Sequence, residues 1–209
     1  MNSNREDYLK IIFEFSEFNE PVTNKLIAQA LDISKPSVSE MLVKLVQSDL
    51  VSIDEKQHIS LRPQGELIAK QMISKHRIWE SFLVNPLNYL WSEVHEDSEH
   101  LEHVTSERLL QHINIFLGYP QYCPHGSPIY INNPAPIIDH GLSQHGGLGL
   151  VRLSRVRDEI EALAFLDEFG LKINDSIEIH AENPDSYTLA IKGKTVECPQ
   201  SIARYLYVK

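Results

Sequence analysis

Between Thr23 and Leu61 the hydrophobic period of the chain changes once, from that of a helix to that of a strand, and this change constrains the fold more than any other feature. After Thr23, the apolar residues Leu26, Ile27, Ala30 and Leu31 recur at helical spacing. Asp32-Ile33-Ser34 then turns the chain, with Ser34 placed as a cap and Pro36 in the first turn of a second helix. Val38, Met41, Leu42 and Leu45 give that helix an i, i+3, i+4, i+7 stripe. The period then falls to two: Leu50 to Ile53 and His58 to Leu61 alternate around Asp54-Glu55-Lys56-Gln57, the pattern of a hairpin. An earlier helical run over residues 4–18 carries Tyr8, Leu9, Ile12, Phe13 and Phe15 and ends at Asn19-Glu20-Pro21. Three helices followed by a hairpin is the order of a winged helix-turn-helix; a generic small helical domain is the alternative. Ser34, Lys35, Ser37, Ser39, Glu40 and Lys44 lie off the apolar stripe of the second helix of the pair. They offer hydroxyls to phosphates and longer groups to base edges. That face is only modestly cationic, so a dimer on a palindromic duplex is expected.

The middle of the chain is rich in metal-binding side chains. Eight of the ten histidines fall between His76 and His145. A long amphipathic helix is expected from Gln64 to the break at Asn85-Pro86, and it places His76 and Glu80 one turn apart. In the next helical stretch, Trp91 to Val104, the residues His95, Glu99, Glu102 and His103 share one stripe, a good ligand set for a divalent cation. A solvated acidic helix is the plain alternative. Against it, Trp91, Val94, His95, Ser98, Leu101 and Val104 define an expected buried stripe that the ligand edge borders, and ionisable groups at a core edge need a partner. A third helix, Ser106 to Leu117, has Leu109, Leu110, Ile113, Phe116 and Leu117 on one side. Together these helices carry more apolar surface than one small core needs, which points to a dimer interface or to a larger monomeric core.

Residues 118–149 hold six of nine glycines and five of eleven prolines, the composition of a linker, and include Cys123-Pro124-His125. Beyond them the pattern is β-rich. Strands are expected over 148–153, 176–180, 187–191, 195–198 and 205–208, with a helix over 159–169, which suits a small barrel. The expected organisation is therefore a reading domain over 1–63, a helical metal-binding and dimerisation domain over 64–120, a linker over 121–147 and a barrel over 148–209, mainly α with β. No apolar run approaches a membrane span, the start MNSNREDYLK has no signal-peptide core, and two distant cysteines make no framework, so a cytoplasmic protein is expected.

The formal net charge of −10 argues against a polyanionic partner until its distribution is read. Residues 1–75 carry nine basic against eleven acidic groups, residues 76–145 two against eight, and residues 146–209 eight against ten. The excess acid lies where the ligands lie, and two divalent cations would offset four of its six negative charges.

The residues Glu6-Asp7-Tyr8-Leu9, Lys35-Pro36-Ser37-Val38-Ser39, Lys75-His76-Arg77, Val94-His95-Glu96, Leu101-Glu102-His103 and Cys123-Pro124-His125-Gly126 occur in this order along the whole chain. Together they resemble the diphtheria toxin repressor family, and within it the manganese-responsive, streptococcal-type branch. The resemblance implies a winged helix-turn-helix, a helical dimerisation domain and a C-terminal FeoA-like barrel. It implies a homodimeric repressor of metal-uptake genes that binds palindromic operator DNA when loaded with Mn²⁺ at two sites per subunit, with no membrane partner or organic cofactor. Carried over, Asp7, Glu99, Glu102 and His103 form the activating site, with His76 as a further ligand. Glu80, Cys123, His125 and Asp158 form the auxiliary site, with His95 a weaker candidate and Glu159 or Glu161 as alternatives to Asp158. Ser34, Pro36 and Glu40 fall at base-reading positions, and Ser37 and Ser39 at phosphate contacts. Asp7 and Glu99 stand where iron-responsive members use sulfur ligands, and hard oxygen donors suit Mn²⁺. The Cys123, His125, carboxylate set is softer and suits Zn²⁺. An Fe²⁺- or Zn²⁺-responsive regulator of the same architecture is the alternative. A metallohydrolase would use similar ligands but needs an open coordination position and a substrate cleft.

Overall fold

A computed structural model of the chain describes residues 5–18, 20–135 and 137–209. Asn19, expected to help end the first helix, lies outside the described residues, as do residues 1–4 and Pro136. The chain divides into two compact units, Met1–Ser74 and Lys75–Lys209.

In the first unit α1 (Arg5–Glu17) buries Tyr8, Leu9, Ile12, Phe13 and Phe15, the face its spacing predicts. Thr23 caps α2 (Asn24–Ala30), its side chain accepting from the Leu26 amide. Ser34 caps α3 (Lys35–Gln47) by accepting from the Ser37 amide, and Val38, Leu42 and Leu45 form the buried stripe. Each such cap satisfies an amide that the helix leaves without an internal partner. The hairpin is β1 (Val51–Ile53) and β2 (Ile59–Leu61), antiparallel with Ser52 opposite Ser60. Asp54 closes its turn, its Oδ1 accepting from the amides of Lys56 and His58, both at 2.8 Å. The Ile59 amide donates to the Val22 carbonyl at 2.9 Å, which ties the wing to the entry of α2.

Helix α4 (Pro63–Val84) begins in the first unit and ends in the second. Its first turn is pressed against the hairpin: the Arg62 amide donates to the Leu50 carbonyl at 2.8 Å, and a Cβ on Gly65 would sit 2.1 Å from that same oxygen.

The second unit holds α5 (Val94–Val104) and α6 (Glu107–Phe116), the latter capped by Ser106. The buried face of α5 differs from the expected one. Val94, Ser98 and Glu102 are buried, whereas His95 is exposed and Val104 is 78% exposed. The helix starts only at Val94, and its inner face is set by partners that periodicity does not count. Glu102 meets a buried imidazole, and Thr105, just past the helix, accepts from Trp79 Nε1 at 2.7 Å. On α6, Leu110 and Ile113 are buried while Leu109 and Phe116 are exposed, so the expected apolar side divides between core and surface.

The sheet comprises β3 (His140–Gly141), β4 (Gly149–Val156), β5 (Ser176–Glu182), β6 (Ser186–Ile191), β7 (Lys194–Pro199) and β8 (Leu206–Val208), with α7 (Ile160–Glu168) and the short α8 (Gln200–Ala203). Its strand order is β3-β8-β4-β5-β6-β7, and every pair is antiparallel. Leu153, Val156, Leu163, Leu166, Ile177, Leu189 and Val208 fill its core, which also takes Trp91 from the turn before α5. Asp167 of α7 fixes that turn by accepting from the Trp91 and Ser92 amides.

The glycine- and proline-rich stretch is irregular but packed. Ile129 joins Ile78, Trp79, Leu110, Ile113 and Cys123 in a second apolar cluster. Asn114 and Asn132 exchange amide hydrogen bonds, and Arg77 Nη1 donates to the Pro128 carbonyl at 2.8 Å. Asp139 takes a bidentate pair from the buried Arg155 guanidinium at 3.1 and 2.9 Å. These side chains satisfy backbone and charge that an extended segment would leave to water. Among the described residues no helix is long and apolar enough to cross a membrane.

Replacing Gly65 with Ala forces α4 and the Leu50 carbonyl apart. We expect a loss of roughly 1–3 kcal/mol, the usual cost of overpacking, seen as a lower urea midpoint for the N-terminal unit at an unchanged m-value.

Candidate metal centre and nucleic-acid face

Helix α4 presents His76 and Glu80 on one face, and both are buried, at 2% and 0% exposure. Glu102 of α5 meets them, its Oε2 2.7 Å from His76 Nδ1, while Glu99 Oε2 stands 3.7 Å from the same nitrogen. On the opposite edge of the imidazole, His76 Nε2 lies 3.2 Å from Glu80 Oε1. That oxygen is also 3.2 Å from His125 Nδ1, which lies 2.7 Å from Asp158 Oδ1. Glu102, His76, Glu80, His125 and Asp158 thus form one unbroken line of ionisable side chains.

Three triplets in this line have ligand atoms within 4.8 Å of one another: Glu80, Cys123 and His125; His76, Glu99 and Glu102; and His76, His95 and Asp158. The first is wholly buried. Both carboxylate oxygens of Glu80 and both ring nitrogens of His125 lie out of solvent with no hydrogen-bond partner. Their contacts are those of an ion-pair cluster, 3.2 Å from Glu80 Oε1 to each imidazole and 2.7 Å from His125 Nδ1 to Asp158. Buried polar atoms are rarely left so, and a cation here would take one or both Glu80 oxygens, one His125 ring nitrogen and the Cys123 sulfur. The donor set of one thiolate, one imidazole and a carboxylate fits a divalent ion in tetrahedral or larger coordination.

Charge follows this geometry. Burial opposes the charge on Glu80 most strongly, but the neighbouring His125 and His76 outweigh it and hold the carboxyl well below the usual range. For His125 too burial works against charge, and Asp158 and Glu80 overcome it, holding the imidazolium well above its ordinary range. Burial first, then the charge of Glu80, pushes the Cys123 thiol up to about 11.

Local chain geometry makes this assembly reachable. The Gly126 amide turns back onto the Cys123 carbonyl at 3.0 Å, and the Val156 amide of β4 donates to the His125 carbonyl at 2.9 Å. Gly126 has φ +85°, and a Cβ there would lie 2.2 Å from the Ser154 carbonyl. Only glycine lets the loop lie this close to β4, two residues before Asp158. Trp91 closes the pocket, its ring edge-on to His125 at 5.3 Å.

Of the residues expected from sequence, His76, Glu80, His95, Glu99, Glu102, Cys123, His125 and Asp158 come together in the second unit. His103 stands at the rim, Nε2 3.6 Å from Glu102 Oε1, outside the three triplets. Asp7 belongs to the first unit, half-buried in the first turn of α1. Glu159 immediately precedes α7, makes no capping hydrogen bond with its side chain and pairs with Arg157 at 3.8 Å, and Glu161 lies in the first turn of that helix. The position of His76 between two triplets was not legible from its i, i+4 pairing with Glu80. Gly126 was visible in the Cys-Pro-His-Gly motif, but its close approach to β4 was not.

On the first unit Ser34, Lys35, Pro36, Ser37, Ser39, Glu40 and Lys44 are all exposed along α3. Ser34 and Ser37 hydroxyls bond to each other at 2.8 Å. Ser39 donates to the Lys35 carbonyl and accepts from Asn24 Nδ2. Beside Lys35 and Ser39 lies a groove of about 940 Å³, lined also by Thr23, Asn24 and Lys25 of the α2 entry and Gln57 of the wing. These four are additions to the sequence reading; the cap at Thr23 was the signal that α2 presents its first turn there.

Residues 1–59 match the family model described as the iron dependent repressor N-terminal DNA binding domain. Residues 62–131 match the iron dependent repressor metal binding and dimerisation domain. A structure of the manganese regulator SloR is 36% identical, covers 100% of this chain and 99% of its own, and superposes with a TM-score of 0.83. A structure of ScaR with bound Zn²⁺ is 33% identical over 99% of each chain, with a TM-score of 0.86. The iron-dependent repressor IdeR of Mycobacterium tuberculosis (strain ATCC 25618 / H37Rv) is 25% identical over 98% of this chain and 96% of its own.

Two outcomes follow. An ion on Cys123 and His125 must displace a proton from each at neutral pH, so calorimetry in buffers of different ionisation enthalpy should show about two protons released per ion. Affinity then rises with pH, because both groups hold their protons above their ordinary range in the metal-free protein. Gly126→Ala should abolish binding at this triplet while leaving the Glu99, Glu102 ligands in place, read as the loss of one ion per chain by elemental analysis.

Proposed function

The chain belongs to the iron-dependent, or diphtheria toxin, repressor family of metal-dependent transcriptional repressors, and from that premise we propose that it is a Mn²⁺-activated repressor of metal-uptake genes. The observation that carries the reading is the buried line of carboxylates and imidazoles running from Glu102 through His76 and Glu80 to His125. Its triplet of His76, Glu99 and Glu102 offers two hard carboxylates and one imidazole, which favours Mn²⁺ over softer ions in ligand type. Zn²⁺ binds such sets more tightly by the Irving–Williams trend, so selectivity rests on a coordination number that a small tetrahedral ion does not fill. The Cys123 triplet is softer and is read as the site where Zn²⁺ binds.

In this proposal residues 1–63 are the reading head, 64–120 the metal-binding and dimerisation domain, 121–147 a linker carrying Cys123 and His125, and 148–209 the barrel. The protein acts in the cytoplasm as a homodimer on palindromic operator DNA, as a regulator and not an enzyme. Exposed Val104, Leu109, Ile115 and Phe116 supply apolar surface of the kind a second copy covers. Asp7 is proposed, from the family resemblance, as a further ligand of the activating ion along with His103. Bound metal raises the DNA-competent fraction, and apparent affinity follows that fraction.

Fluorescence anisotropy tests the reading, using a palindromic duplex selected from a random pool by the metal-loaded protein. Mn²⁺ should tighten binding at least tenfold over the metal-free protein, the effect of a shift in population of about 1.4 kcal/mol. Fe²⁺ or Zn²⁺ acting better than Mn²⁺ would reassign the cognate metal; equal affinity with and without metal would overturn the reading. Glu99→Ala should abolish the metal response while sedimentation still shows a folded dimer.

A further inference from the structure

We propose that the exposed aliphatic flank of α3, centred on Val43, reads thymine through its C5 methyl group; the inference rests on reading this chain as a repressor that lays α3 in the major groove of its operator. Pro36, Glu40, Val43 and Gln47 recur at helical spacing and make one exposed ridge of α3, opposite the buried stripe of Val38, Leu42 and Leu45. A ridge so placed is the part of a reading helix that faces base edges. Val43 stands one turn beyond Glu40, the last base-reading position that the family resemblance implies. It is 55% exposed, and Val46 and Ile53, at 44% and 41%, line with it the groove between α3 and the wing.

Three large aliphatic side chains stand here on a face otherwise made of serines and lysines. A phosphate gives them nothing, because apolar surface leaves water favourably only against an apolar partner. The apolar group that a base pair shows in the major groove is the thymine methyl. The nearest hydroxyl does not compete for the base edge. Ser39 donates its one proton to the Lys35 carbonyl at 3.1 Å and accepts from Asn24 Nδ2 at 2.8 Å, so it has no proton left to give. Lys25 and Lys35, both exposed, line the same groove and supply the charge that holds a phosphate backbone beside it. An apolar flank between two cations is complementary to a methyl group set within a polyanion, which assigns the surface to duplex DNA rather than to a protein partner.

The test uses the full-length, Mn²⁺-loaded protein and a duplex that it selects from a random pool. Each thymine of the two half-sites is replaced in turn by uracil, which deletes the methyl and nothing else, and fluorescence anisotropy at fixed salt reads the affinity. At one thymine per half-site the wild type should lose roughly fourfold, and roughly fifteenfold with both half-sites changed, the size of one buried methyl each time. Val43→Ala should bind the thymine duplex as weakly as the wild type binds the uracil duplex, and no longer distinguish the two. Lys35→Ala should weaken both duplexes alike and keep their ratio, as loss of a phosphate contact does. Circular dichroism establishes that each variant is folded. A wild type indifferent to uracil at every position overturns the proposal, as does a Val43→Ala variant that keeps the full thymine preference; metal-dependent binding of the selected duplex then leaves the repressor reading standing. Failure of the loaded protein to select any duplex overturns that reading, and the proposal with it.

Discussion

Glu80 has no exposed surface, yet its environment keeps it ionised between the imidazoles of His76 and His125. Withdrawing a carboxylate from water costs several kcal/mol, and attraction to its neighbours offsets this only where geometry is good and the remaining lone pairs are met. Here the remaining lone pairs are not met by hydrogen bonds. The arrangement is therefore held by what surrounds it. Ile78, Trp79, Leu110, Ile113, Cys123 and Ile129 pack around the middle of α4, and the core of the sheet holds Trp91 against His125. Apolar burial of this extent is what fixes charged groups in positions that they would not choose alone.

The loop from Cys123 to Gly126 shows how local backbone and distant strand cooperate. Its close approach to Ser154 needs a residue with no side chain at Gly126, and its register on β4 is set by one backbone hydrogen bond from Val156. That register carries over two residues to Asp158. A loop made of Pro and Gly would otherwise be free to wander, but Arg77 holds its Pro128 carbonyl, Asn114 its Asn132 side chain and Arg155 its Asp139. The acidic excess of the middle segment is thus built into a packed interior as well as displayed on its surface. A divalent ion there changes both its charge and its unsatisfied polar atoms at once.

Much of the fold was legible from local chemistry. Thr23, Ser34 and Ser106 cap the helices they precede, and the alternating pairs around Asp54 form the hairpin, because capping and pleat depend on near neighbours in sequence. The inner face of α5 was not legible: a count of apolar residues put His95 and Val104 inward, whereas Glu102 took an inward place through a partner 26 positions upstream. Similarly, the composition of residues 118–149 announced turns but not the long-range polar contacts that pack them. The face of α6 divided between core and surface for the same reason, since periodicity shows that a stripe is apolar and leaves open what covers it.

The sequence by itself determined the kinds of donor available and their local pairing. His76 and Glu80 must share a helix face, as must Glu99, Glu102 and His103, because the α-helical repeat brings residues three and four apart together. It also determined that α3 follows a tight turn and precedes a wing. Only the tertiary structure decided the grouping: that His76 stands between two ligand sets, that Cys123 and His125 meet Glu80, and that Asp158 reaches them from beyond β4. Ligand sets are decided by distances of a few ångströms between segments far apart in the chain, and those distances come from packing, which no periodicity in the sequence encodes.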